Sequence, residues 1–125
     1  MSLLIKNGTI LTAASEFTGD IYIEGETIRQ IGTNLSVNAS RTIDASGKYV
    51  MPGGVDEHVH YGSFGGRLFE TAEAAAAGGT TTIVADPHEI VNVCGAQAVQ
   101  YLLDATENLP LNVYLMLPSS VPATP

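Results

Sequence analysis

Beyond Pro52 the sequence alternates extended and helical stretches, and that rhythm limits the fold more than any other feature. GGVDEHVHY is extended in character. RLFETAEAAAAGG is alanine-rich with no internal breaker, which predicts a helix closed by Gly78-Gly79. TTTIVAD is β-branched and apolar, as a buried strand requires. NVCGAQAVQYLLDATEN puts Ala98, Leu102 and Ala105 at helical spacing, with Val99 and Leu103 beside them and Pro110 after its end. LNVYLML reads as a third strand, closed by PSSVPATP. Strands separated by helices of this length run parallel through right-handed crossovers, which places the chain in the α/β class.

Before Pro52 the pattern differs. Short β-type runs alternate with turn residues, and in DIYIEGETIRQIG the isoleucines 21, 23, 28 and 31 flank Glu24-Gly25-Glu26. That spacing predicts a hairpin with Gly25 at the turn, inside a small antiparallel sheet. Two parts follow, 1–52 and 53–125.

The chain has 125 residues with 45% hydrophobic and 14% charged content, the profile of a globular protein able to bury a core. Thirteen acids against five Lys and Arg give a net charge of −8, which argues against nucleic acid or an anionic membrane as partner. Every Lys and Arg lies at or before Arg67, and the acidic remainder suits either a cation site or a solvated surface. Cys94 is the only cysteine, and its place inside or at the start of a helix with no nearby base suggests a small buried filler. MSLLIKNG is too short and too interrupted for a signal-peptide core, so a cytoplasmic location is expected.

The chemistry concentrates at three strand ends. His58 and His60 stand two apart, so in a strand both rings leave the same face about 7 Å apart and can reach one metal ion. A bare His-x-His is often a pair of surface histidines. Here it ends the first strand of a βα series, where barrel enzymes place their chemistry. Asp56 has the same parity and could orient the pair. In VADPHEI, Pro87 throws His88 and Glu89 toward the same rim, where His88 could be a metal ligand, an acid/base group or a substrate contact. Asp86-Pro87 is equally a helix-start signal, with Asp86 or Asn92 capping. Ser119 and Ser120 end the third strand and could hydrogen-bond a substrate. GSFGG, at 62–66, lacks the phosphate-loop lysine and reads as a loop over the site.

These motifs together resemble the metal-dependent amidohydrolases. From residue 3 to GGTTTIV at 78–84 the sequence is similar to hydantoinases, dihydropyrimidinases and dihydroorotases. TTTIVADPHEIVNVCG and LPLNVYLMLPSSVPATP, across residues 80–125, closely resemble the adenine deaminases. YGSFGGRLFETAEAAAAGGT departs from the deaminase pattern toward the hydantoinases; a divergent homologue, a chimera and a fragment joined from two sources all remain open.

The resemblance implies an N-terminal β-sandwich portion over 1–52. Residues 53–125 would form the first two to three βα units of a (β/α)8 barrel. It matches His58 and His60 to the His-x-His metal ligands, and His88 and Glu89 to the Pro-His-Glu motif of the deaminases. A divalent ion (zinc, manganese or iron) is expected, together with a nucleobase or cyclic amide substrate and assembly into a homo-oligomer. The family's further ligands, a carboxylate after strand four, two histidines and an aspartate, have no counterpart in the sequence. Lys6 and Lys48 lie in the N-terminal sheet, away from the position of a carboxylated lysine. The expected activity is hydrolysis of a ring C–N system, deaminating adenine or alternatively opening a cyclic amide. A non-catalytic scaffold or binding module is the other alternative, and the chain alone is expected to have little or no activity.

Overall fold

The computed structural model describes residues 1–60 and 68–119, and the chain divides into two compact units, Met1–Pro52 and Gly53–Pro125. The GSFGG segment therefore lies outside the described residues.

The first unit is a five-stranded sheet. β1 (Ser2–Leu11) is central, flanked by β2 (Glu16–Glu24), which pairs onward with β3 (Thr27–Gly32). β2 and β3 form the expected hairpin, Ile21 opposite Ile31 and Ile23 opposite Ile28, and Gly25 takes φ 61° at the turn. The sheet is nevertheless mixed and not antiparallel throughout. β4 (Arg41–Asp44) and β5 (Tyr49–Val50) both run parallel to β1. Their partner lies more than thirty residues away, a pairing that local turn chemistry does not announce.

Asn7 interrupts β1 with φ 62°, a left-handed conformation that asparagine tolerates, and the β1–β2 register shifts there between Ile5 and Gly8. Its amide donates to Asp20 Oδ1 at 2.8 Å, and the Leu35 amide donates to Asp20 Oδ2 at 2.8 Å. Asp20 is only 2% exposed, and those two amides hold its carboxyl below the usual carboxylate range. One carboxylate thus ties the kink in β1 to the chain beyond β3. Leu4, Ile10, Ile21, Leu35 and Ala45 are the buried apolar residues of this unit. Ile5, Ile23, Ile28, Ile31 and Met51 help to line an apolar cavity of about 300 Å³.

The second unit carries the parallel sheet β6 (Gly54–Val59), β7 (Thr80–Ala85), β8 (Asn112–Leu115), in that order. Between β6 and β7 lies α1 (Leu68–Ala77); the chain turns at Gly78 and Gly79, the latter with φ 93°. The stretch between β7 and β8 forms two helices, α2 (His88–Cys94) and α3 (Gln97–Thr106). Gly95, at φ 68°, breaks them where periodicity alone suggests continuity. α3 buries Ala98, Leu102 and Thr106, one helical face as the spacing requires, and the Thr106 hydroxyl donates to the Leu102 carbonyl at 2.7 Å. Ala72, Ile83, Ala85 and Leu111 form the core, with Val59, Val113 and Leu115 packed against it. Cys94 is exposed, a correction to its reading as buried filler: it falls at the end of α2, next to the break.

Candidate metal centre

Parallel pairing brings the ends of β6 and β7 side by side. Val59 pairs with Ala85, and the Asp86 amide donates to the Val59 carbonyl at 2.8 Å. His58 and His60 leave the end of β6 while Asp86 and His88 leave the end of β7, so strand register alone makes the four neighbours.

The rings are close. His58 and His60 have centroids 5.1 Å apart, and His60 and His88 meet edge to face at 4.9 Å. Two carboxylates complete the group. Asp86 Oδ2 lies 3.1 Å from His88 Nδ1 and 3.8 Å from His58 Nε2. Glu89 Oε1 lies 2.9 Å from His60 Nδ1 and 3.7 Å from His88 Nε2. Asp56 instead accepts the His58 amide, 3.2 Å away.

Local sequence explains this placement. Pro87 is fully buried and stands at the N-cap position of α2, so the chain passes from β7 into a helix within two residues. His88 and Glu89 are the first turn of α2 and not part of a loop, which fixes their backbone and favours the Glu89 charge. Asp86 Oδ1 accepts the His88 amide at 3.1 Å, and the Asn92 side chain donates to the His88 carbonyl at 2.8 Å.

The charges reinforce one another. The hydrogen bond from the His88 ring, more than any other cause, holds the Asp86 carboxyl below the usual range, against a desolvation cost. The same contact raises His88 above the ordinary imidazole value, outweighing its own desolvation, with Glu89 adding to the rise.

Two overlapping donor sets lie within 4.8 Å: His58, His60 and Asp86, and His60, His88 and Glu89. Imidazole nitrogens with carboxylate oxygens suit zinc, manganese or iron, so the donor chemistry fits a divalent ion. Ser119 is exposed beyond the end of β8, and Ser120 lies outside the described residues. Asp86 is the member that sequence reasoning missed: Asp-Pro before a helix looks like a cap and gives no sign that the carboxylate turns to the histidines.

Comparison with known proteins identifies the lineage, because the amidohydrolase family model matches residues 49–125. The chain belongs to the amidohydrolase family. It is 46% identical to the adenine deaminase of Clostridium acetobutylicum over 98% of this chain and 21% of that protein. It is 53% identical to the adenine deaminase of Nitratidesulfovibrio vulgaris strain Hildenborough, over 100% of this chain and 22% of the relative. Among solved structures it is similar to a dihydropyrimidinase from Brevibacillus agri, with TM-score 0.77 and 31% identity over 94% of this chain and 27% of that one. A D-hydantoinase from a Thermus species gives TM-score 0.71 and 36% identity, covering 94% of this chain and 29% of the other. The chain thus spans about a fifth of the length of these adenine deaminases. Both sides of the expected resemblance, deaminase and hydantoinase, are present.

Proposed function

We propose that this amidohydrolase chain supplies the first metal ligands of a hydrolase that deaminates adenine to hypoxanthine and ammonia. The observation that carries the reading is the convergence of His58, His60, His88 and Glu89, within a sequence 46% identical to an adenine deaminase along almost its whole length. In this reading Met1–Pro52 is the N-terminal portion of a β-sandwich, and Gly53–Pro125 provides the first two to three βα units of a (β/α)8 barrel. The rim of that barrel is the end of the sheet from which the histidines project. Zinc, manganese or iron is the resident ion, the location is cytoplasmic, and the assembly is a homo-oligomer.

His58 and His60 would hold the ion. Glu89 accepts a hydrogen bond from Nδ1–H of His60, which turns the other ring nitrogen toward the ion and raises its basicity. A divalent ion bound there would supply Lewis acidity and lower the pKa of water toward neutrality. His88 relays a proton through Nε2, accepting it from the attacking water and then returning it to the departing nitrogen. Ser119 and Ser120 contact the base.

Cyclic amide hydrolysis is the second reading, favoured by the likeness to dihydropyrimidinase and D-hydantoinase structures. One exchange separates the two. This chain replaces the matching segment of the C. acetobutylicum adenine deaminase, and ammonia release from adenine is compared with ring opening of hydantoin. Adenine turnover that falls in His88→Ala supports the deaminase. Hydantoin opening alone supports the alternative, and a folded, metal-replete hybrid inert toward both counts against each. On its own the chain is expected to turn over neither substrate at a useful rate.

A further inference from the structure

We infer that Asp86 is a positioning residue, fixing His88 as the Nδ1–H tautomer so that Nε2 stays open for proton transfer. The inference rests on the proposed role of His88 as proton carrier. Asp86 makes two bonds to one residue: Oδ1 accepts the His88 backbone amide at 3.1 Å, and Oδ2 sits 3.1 Å from His88 Nδ1. An ionised carboxylate only accepts, so the neutral ring must carry its proton on Nδ1. That leaves Nε2 without one, on the side of the ring that faces Glu89.

The support is rigid. The Asp86 amide is anchored to Val59, and fully buried Pro87 fixes the backbone between the carboxylate and the ring. A capping role accounts for the Oδ1 contact alone. It gives no reason for Oδ2 to meet the imidazole. The competing reading makes Asp86 itself a metal ligand with His58 and His60, the donor set to which it belongs.

Asp86→Asn separates these readings. The amide oxygen of Asn must still accept the His88 backbone N–H, which turns its NH₂ toward Nδ1. Nδ1 then becomes an acceptor, and the ring proton moves to Nε2. The chain is labelled with ¹⁵N-histidine, and long-range ¹H–¹⁵N correlations are recorded while pH is raised from about 8.5 until the His88 shifts stop changing, because His88 lies above the ordinary imidazole value. The His88 signals are assigned by their loss in His88→Gln. The expected result is an Nδ1–H pattern for His88 in the parent chain, replaced by Nε2–H in Asp86→Asn, while zinc affinity falls less than in His58→Ala. An Nε2–H pattern in the parent chain overturns the inference, and needs no variant to fold. An unchanged pattern in Asp86→Asn overturns it, as does a loss of zinc affinity at least equal to that of His58→Ala. Failure of the adenine assay would refute the role of His88 and leave the tautomer result standing on its own.

Discussion

Ile83 links the packing of the second unit to its chemistry. It is 3% exposed, in the cluster with Ala72, Ala85 and Leu111, and lies on β7 three residues before Asp86. Ile83→Ala deletes three side-chain carbons, each worth about 0.8 kcal/mol of burial, so transfer alone costs about 2.4 kcal/mol. The cavity left behind raises this to about 3 kcal/mol. About 3 kcal/mol is roughly a 150-fold change in the folding equilibrium. Ile83→Val deletes one carbon and should cost about 1 kcal/mol. Urea denaturation of each variant, followed by circular dichroism, gives the values. The two variants should fall in that order, and the alanine variant should lose zinc binding at urea concentrations where the parent chain keeps it. A cost below about 0.5 kcal/mol for Ile83→Ala, the range of surface substitutions, would refute the packing described for β7.

Other perturbations test the remaining parts. Asp20 has a folded-state pKa below its unfolded value, so its contribution to stability is present above the unfolded value of about 3.9 and is lost as pH falls through the depressed one. Asp20→Asn should therefore lower stability at neutral pH and flatten its decline in acid, read from denaturation midpoints across pH. A Cβ added at Gly53 would collide with the Thr81 side chain, so Gly53→Ala should cost about 1–3 kcal/mol in the same assay. Cys94 should react with a thiol reagent in the folded chain as fast as in urea; strong protection would contradict its exposure. Glu89→Leu removes the acceptor from His60 and should weaken zinc binding about tenfold, the lower end for such partners because both side chains are about half exposed.

What the sequence made legible, and what it hid, follows from the range of the interactions. Alternation of β-branched and alanine-rich runs located β7, α1 and β8, and the glycines at 25 and 78–79 marked real turns. These features are local: propensity, period and backbone freedom. The parallel partners of β1 are not local. Arg41–Asp44 could pair with any open edge until the whole sheet is assembled. The break at Gly95 lost to helical periodicity, since Val91 and Ala98 continue one apolar face across it. At the site, the two-residue spacing of His58 and His60 was sufficient to place them together. Asp86 was not legible, because its approach to His58 depends on the β6–β7 register, and an Asp-Pro cap signal does not show that its second oxygen meets the His88 ring.

The central claim is that His58 and His60 form the heart of a divalent metal site, and zinc titration of the chain by calorimetry tests it most directly. The expected result is saturable binding near one equivalent in the parent chain, with the binding heat abolished in the His58→Ala/His60→Ala double variant while its circular dichroism is unchanged. Equal zinc binding by the folded double variant, or none by the folded parent, would contradict it.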